Sequence, residues 1–256
     1  MNSTLMFIWK EFKEKRWQLI IFLIILSVTA IAVVLGYDYI KKILGDVMTE
    51  ESFMVRDVSL FENPQIYLWS QWSAKSLYQF GTVIALILGV FGIAGEIKDA
   101  TINFLLTKPL SRKSIFFYKA VSGLLQLLTV ILLPTLILAG TAWLSFPEVN
   151  IWSIFGQAGI TFSGLMVIYF FALLLSTVIA DPVKAGLSAA ALVLVYSVTG
   201  WFTESGFFAL FRYMQGTDYY FTGGFPVPGF IIVLLVSVIF FVSGMIIFNK
   251  KEFMEG

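Results

Sequence analysis

Residues 95–119 bring ionisable and apolar side chains together between two long apolar runs. The stretch reads GEIKDATINFLLTKPLSRKSIFFYK, and it carries five basic residues although it is too short to form a domain. Charged residues beside a few apolar anchors are typical of a helix that docks in the groove of another protein. The stretch therefore predicts a docking surface, although an ordinary basic cytoplasmic loop would share these features.

The spacing within this stretch predicts a short helix over residues 97–107, with Ile102, Leu105 and Leu106 on one side. A proline at position 109 ends that helix, and a serine at position 111 is a favourable N-cap for the next one. Glu96 lies where the preceding apolar run ends, so its charge can reach water or an interfacial partner.

Covalent and metal chemistry have few candidates in this chain. Histidine and cysteine are absent, which removes the commonest general base and metal ligand, disulfides and thiolate metal sites. The sequence contains neither a GxSxG elbow nor a GxxxxGK[ST] phosphate loop. We therefore predict that the chain is not an enzyme and has no catalytic residue, metal or cofactor of its own. If ATP drives it, another polypeptide binds the ATP.

The composition is that of a membrane protein. Of the 256 residues, 59% are hydrophobic and 13% are charged, about half of the charged fraction usual in soluble proteins. The net charge of +1 provides no basic face for nucleic acid, so no nucleic-acid partner is expected.

The apolar runs predict an all-α integral membrane protein with six transmembrane helices in a single domain over residues 1–256. The predicted spans are residues 17–36, 77–94, 115–140, 158–180, 185–201 and 229–248. No span carries a charge near its centre, which argues against an ion-coupled pump. Small residues in the second and fourth spans predict close helix packing. They are Ala85, Gly89 and Gly92, and then Ala172, Ser176 and Ala180.

The N-terminal residues 1–16 predict an amphipathic helix that lies on the membrane surface, with its basic residues at anionic headgroups. The residues assigned to this surface helix are Leu5, Ile8, Trp9, Phe12 and Arg16. The alternative is an ordinary basic flank that only orients the first span.

Residues 202–228 are apolar, but they are too short and too broken by glycine and proline to form another span. Re-entrant or interfacial helices before span 6 fit this segment best. The segment could gate the outer side or only pack there.

The basic residues orient the six spans. With both termini in the cytoplasm, 12 of the 17 lysines and arginines lie on the inner side and 5 on the outer side, which is the expected bias. Tryptophans fall near the predicted span ends, as an interfacial belt requires. We therefore expect a multi-pass protein with both termini inside.

An ordered set of positions between the second and third spans resembles the permease subunits of type-2 ABC exporters. The set is Glu96, Thr101, Leu105, Leu106, Pro109, Leu110, Ser111, Arg112 and Lys119. The resemblance extends over the whole chain, from the basic amphipathic start to the short basic tail. Two positions depart from the family, because Ala100 stands where glycine is common and Glu252 stands where aspartate is common.

The resemblance implies a six-span half-transporter of a bacterial cytoplasmic membrane, in which two permeases form a dimer. Two separate nucleotide-binding ATPase subunits would carry ATP and Mg²⁺ and grip the cytoplasmic loops, including a coupling helix between spans 2 and 3. The residues that the resemblance and the local pattern assign to ATPase docking are Glu96, Thr101, Ile102, Leu105, Leu106, Pro109, Leu110, Ser111, Arg112 and Lys119.

The substrates of the resembled family include lipids, lipid-linked glycans, drugs and amphipathic peptides. Spans without charge and aromatic outer loops favour a hydrophobic or amphipathic cargo. The expected function is therefore ATP-driven export of such a peptide, lipid or drug, with the ATPase docked on residues 95–119. The alternative is a non-transport membrane sensor or immunity protein that binds peptides at its outer loops.

Overall fold

The computed structural model describes residues 3–47, 63–102, 110–202 and 209–251, and within these ranges the chain is helical, without a β-strand. The helices are α1 (Ser3–Glu14), α2 (Arg16–Leu35), α3 (Tyr37–Val47), α4 (Pro64–Leu68), α5 (Tyr78–Lys98), α6 (Arg112–Ser145), α7 (Ile151–Val178), α8 (Pro182–Phe202), α9 (Leu210–Gln215), α10 (Thr217–Thr222) and α11 (Val227–Lys250). A π-helical segment, Trp69–Leu77, joins α4 to α5 in one continuous helical stretch.

Six helical stretches in the described ranges are long and apolar enough to cross a membrane, as predicted. They are Arg16–Leu35, Pro64–Lys98, Arg112–Ser145, Ile151–Val178, Pro182–Gly200 and Val227–Lys250, and we number them spans 1 to 6. The prediction of an all-α multi-pass membrane protein is therefore confirmed.

The helices extend beyond several predicted spans because capping side chains, rather than the ends of the apolar runs, fix where they begin. Span 2 begins at Pro64 instead of residue 77, and Asn63 caps it by accepting a backbone N–H at 2.9 Å. Ser111 caps α6 in the same way at 3.1 Å, and Asn150 caps α7. Each cap satisfies amide groups that have no partner within the helix.

The first part of the segment after span 1 is helix α3. Tyr37 is buried at the beginning of this helix, and its ring lies 5.1 Å from the ring of Tyr67 and 5.0 Å from that of Phe146. These aromatic contacts fix α3 against the ends of spans 2 and 3.

Helices α5 and α7 cross at close distance. A Cβ added at Gly89 would lie 2.6 Å from the Tyr169 carbonyl oxygen and 2.7 Å from the Ala172 Cβ. Gly89 and Ala172 of the predicted small-residue stripes therefore meet at this crossing, whereas Ala180 is exposed beyond the end of α7. Because lipid provides no hydrophobic drive between helices, close contact of this kind is a main source of stability.

Span 4 is the central helix, and spans 5 and 6 are peripheral. Helix α7 contacts α5, α6, α8, α9 and α11, and 67% of its apolar window is buried. The buried share falls to 11% in span 5 and 17% in span 6. The exposed apolar faces of these two spans suit contact with lipid.

The short helices α9 and α10 lie at the opposite end of the bundle from α1. Three consecutive backbone carbonyls at the end of α9 accept hydrogen bonds from side chains of span 2 or span 4. These bonds run from Thr161 Oγ1 to Met214 O (2.8 Å), from Trp69 Nε1 to Gln215 O (2.9 Å) and from Gln157 Nε2 to Gly216 O (3.3 Å). The first two bonds satisfy carbonyls at a helix end, whereas Gly216 O also accepts the backbone N–H of Tyr220 at 3.0 Å. Whether this segment is re-entrant stays a prediction.

Candidate functional site

Lys119 lies near the beginning of α6, and its side chain is 1% exposed. Its ammonium Nζ donates to Glu11 Oε1 at 2.7 Å and to Glu96 Oε1 at 2.5 Å. Glu11 is as deeply buried as the lysine, and Glu96 is mostly buried. Because a buried charge is costly unless it is paired, we treat Glu11, Glu96 and Lys119 as one unit, the inner ion cluster.

The inner ion cluster joins three elements at one end of the bundle. Glu11 comes from α1, Glu96 from the last turn of α5, and Lys119 from α6. Apolar rings shield the cluster, because the Phe7 ring lies 5.7 Å from the Tyr118 ring and 6.0 Å from the Lys119 ammonium. Shielding from water strengthens the attraction between the charges. The cluster therefore holds α1 against spans 2 and 3.

A tight turn after α5 satisfies the second oxygen of Glu96. Thr101 Oγ1 donates to Glu96 Oε2, and it also lies 3.3 Å from the backbone carbonyl oxygen of Glu96. Ala100 adopts φ = 56°, and among the described residues it is the only one other than glycine with a positive φ. Left-handed backbone is strained for alanine, which gives a physical reason for the glycine common here in the resembled permeases.

The face of α1 that packs against the protein is not the apolar face that the sequence predicts for the membrane surface. Phe7 and Glu11, one helical turn apart, are buried, whereas Trp9 is 69% exposed. The ion pair of Glu11 with Lys119 of α6 determines which face of α1 packs inward. Because Lys119 is distant in the sequence, the residues of α1 alone do not indicate this face. Of the other predicted surface residues, Ile8 and Phe12 are partly exposed, Arg16 is exposed, and the Leu5 side chain lies outside the described part of the structure.

Arg112 connects the beginning of α6 to the end of the last span. Its guanidinium Nη1 donates to the backbone oxygen of Lys251 at 2.7 Å. The Lys251 ammonium in turn donates to the backbone oxygen of Thr177 at 2.6 Å, and burial lowers the pKa of this ammonium. Spans 3, 4 and 6 therefore meet at one point on the same end of the bundle as the inner ion cluster.

The predicted docking residues divide into buried and exposed groups. Ile102 is 2% exposed and belongs to the core, and Leu110 packs against that core. The described side chains that are exposed around the loop are Lys98, Asp99, Thr101, Ser111 and Lys113. Leu105, Leu106, Pro109 and most of the helix predicted over residues 97–107 lie outside the described residues. The docking role of the whole set stays a prediction.

Sequence reasoning missed Glu11, Thr177 and Lys251. A signal for Glu11 was present, because Lys119 stands within an apolar run and a buried lysine requires a carboxylate. Thr177 and Lys251 take part through backbone oxygens, which any residue carries, so their types gave no signal.

Three carboxylates gather beside Lys119. Oxygens of Glu11, Glu14 and Glu96 lie within 4.8 Å of one another. The Lys119 ammonium contacts Glu11 and Glu96 and is their counter-charge, whereas Glu14 pairs with Lys10 of its own helix at 3.2 Å. The absence of a metal site stays a prediction. Lys15 adds further positive charge; burial lowers the pKa of its ammonium, and the nearby Glu11 opposes that shift.

The family model described as ABC-2 family transporter protein matches residues 5–217. The matched range contains α1, the inner ion cluster and the predicted docking stretch. A search of curated proteins gives no match. The family match covers most of the 256 residues and agrees with the six membrane-spanning helices. The chain therefore belongs to the ABC-2 family of transporter proteins, and it is an ABC transporter permease of the kind that pairs with an ATP-binding subunit.

Proposed function

We propose that this permease is the membrane half of an exporter, and that a separate ATPase subunit docks on residues 95–119 and drives it. The ATPase carries ATP and Mg²⁺, whereas the permease is no enzyme by itself. Two permease chains form a dimer in the cytoplasmic membrane, with all termini in the cytoplasm. The dimer exports a hydrophobic or amphipathic substrate, which is a peptide, a lipid or a drug.

The observation that carries this proposal is the inner ion cluster. Glu96 and Lys119 lie near the two ends of the proposed docking stretch and contact each other, and Lys119 also contacts Glu11 of α1. Because separating a buried ion pair is costly, a push on the loop moves the ends of spans 2 and 3 together with α1. This arrangement suits the transfer of a displacement from a docked ATPase into the bilayer.

The residues available for direct contact with the ATPase are the exposed ones around the cluster. Lys98 lies in the last turn of α5 and Asp99 follows it, and Ser111 and Lys113 flank the beginning of α6. Glu96 and Lys119 are engaged with each other, so their role in coupling is to position the loop. Charged residues at the edge of an interface set the association rate and the choice of partner.

The apolar surface of the spans supports both the substrate class and the dimer. Spans 1, 5 and 6 bury 28%, 11% and 17% of their apolar windows within one chain. Broad apolar faces of this kind can pack against a second permease and can admit a hydrophobic substrate from the lipid. No strongly charged cargo is expected to cross between such surfaces.

Charge reversal on the exposed loop tests the docking. In the double variant Lys98→Glu and Lys113→Glu, we expect the affinity for the ATPase subunit to fall by at least about tenfold, which corresponds to about 1.4 kcal/mol. Lys42→Glu is the matched control, because Lys42 is an exposed lysine on α3 at the opposite end of the bundle. Unchanged ATPase binding in the double variant would place the docking surface elsewhere.

Transport in sealed inside-out vesicles tests the exporter role. Vesicles that contain the permease and its ATPase should accumulate a fluorescent lipid, an amphipathic peptide or a lipophilic dye when ATP is added. A complex that binds its ATPase and hydrolyses ATP, but moves none of the three probes, would favour the non-transport sensor.

A further inference from the structure

A small pocket lies where the beginning of span 2 meets span 4 and the short helices. Its polar walls are formed by Gln65, Trp72, Ser73, Ser153, Gln157 and Tyr220. The pocket belongs to the end of the bundle opposite the inner ion cluster, and the proposed docking of an ATPase does not involve it.

Two buried polar atoms of this pocket have no hydrogen-bond partner among the described residues. They are the indole nitrogen Nε1 of Trp72 and the amide oxygen Oε1 of Gln157. Each of these two residues is 1% exposed. A buried polar group without a partner loses its hydration and gains nothing in exchange. The two unpaired atoms therefore indicate that a polar ligand binds in the pocket.

The two atoms require opposite hydrogen-bonding partners. The Trp72 indole can only donate a hydrogen bond, and the Gln157 amide oxygen can only accept one. Because both residues line the same small pocket, a single group that both accepts and donates is the simplest ligand for the two atoms. The serine hydroxyls of the pocket wall provide further polar surface for the same group.

The size of the pocket limits how large its ligand can be. The space open to the centre of a water-sized sphere is about 10 Å³, which is about what one water molecule needs. A peptide, a lipid headgroup or a drug is far larger. We propose that the pocket is a binding site for one water molecule, which accepts a hydrogen bond from Trp72 Nε1 and donates one to Gln157 Oε1.

This water extends a hydrogen-bonded path from the short helices to span 2. The other end of the Gln157 amide, Nε2, donates to the backbone oxygen of Gly216, which follows α9. Trp72 lies in the π-helical segment at the beginning of span 2, and such widened turns often occur at functional positions. The bound water therefore helps to hold the segment that contains α9 and α10 against span 2.

The test is a structure of the full-length chain in lipid nanodiscs, at a resolution that shows interior waters. A density peak within hydrogen-bond distance of both Trp72 Nε1 and Gln157 Oε1 is expected. A map that resolves other interior waters but has no peak between these two atoms overturns the proposal.

Two variants show whether these two groups hold the water. We expect the peak to be lost in Trp72→Phe, which removes the donor, and in Gln157→Met, which removes the acceptor. Leu138→Met is the matched control, because Leu138 also lines the pocket but offers no hydrogen bond, and the peak should persist there. Persistence of the peak in both polar variants overturns the assignment of its partners. The wild-type map decides the question if a variant does not fold.

Discussion

Lys119 and Glu11 are 108 positions apart in the sequence, yet the lysine ammonium donates to the carboxylate at 2.7 Å. Both side chains are almost entirely buried, so each charge has lost its hydration and depends on the other for stabilisation. This contact attaches the N-terminal helix to the beginning of span 3. Glu96 completes the cluster, so span 2 moves with the same unit.

Lys119→Met should destabilise the permease strongly. The variant leaves Glu11 and Glu96 without their counter-charge, and we expect the free energy of unfolding to fall by about 3 kcal/mol. Thermal unfolding in lipid nanodiscs measures the effect. Lys113→Met, an exposed lysine in the first turn of the same helix, is the control. Equal unfolding temperatures for the two variants would contradict the assigned role of the cluster.

Glu11→Gln should loosen α1 while the spans stay folded. The variant weakens a charge-assisted hydrogen bond, so amide hydrogen exchange over residues 3–14 should become about tenfold faster. Lys13→Gln is the control, because Lys13 is an exposed charged residue of the same helix that is not part of the cluster. Similar exchange rates in both variants would show that the apolar contacts of α1 are sufficient to hold it.

Ala100→Gly should stabilise the protein. Alanine at φ = 56° is strained, and glycine relieves about 1 kcal/mol of that strain. Ala190→Gly, at an exposed position within α8, should have the opposite effect, because glycine in a helix costs about 1 kcal/mol relative to alanine. A comparison of the two unfolding temperatures checks the signs. A lower unfolding temperature for Ala100→Gly would argue against the left-handed turn.

Gly89→Ala should disrupt the contact between spans 2 and 4. The added methyl group would meet the backbone of Tyr169 and Leu173, which cannot rotate away, and we expect a loss of about 2 kcal/mol of stability. Gly159→Ala is the control, because a Cβ at Gly159 meets nothing within 4 Å. Comparable stability of the two variants would mean that the two helices lie further apart.

The stability contributed by Lys15 should depend on pH in the alkaline range. Burial lowers its pKa in the folded protein, whereas the unfolded chain keeps a lysine pKa of about 10.4. Between these two values the unfolded state binds more protons, so the free energy of unfolding rises with pH. Wild-type protein should therefore gain stability relative to Lys15→Gln from the lowered pKa up to about pH 10.4.

The control for this measurement is Lys13→Gln, which removes an exposed lysine of the same segment. Thermal unfolding of the three proteins over the alkaline range measures the difference. A difference between wild type and Lys15→Gln that stays constant over this range would contradict the burial of the Lys15 ammonium.

Local features of the fold could be predicted from the sequence. The six spans follow from runs of apolar residues, and Ser111 was recognised as a cap because serine at that position accepts a hydrogen bond from a nearby amide. Span 2 was predicted too short, because the polar segment before residue 77 does not look like part of a span. The π-helical segment continues the helix back to Pro64.

The sequence by itself determined the membrane class, the number of spans and the polar stretch between spans 2 and 3. These features depend on hydrophobicity and on hydrogen bonds between residues close in the chain. Only the tertiary structure decided that Glu11 faces Lys119 and that Arg112 meets the Lys251 backbone. Such pairs depend on which helix faces come together, and close contacts between distant spans, such as Gly89 against Ala172, set that arrangement.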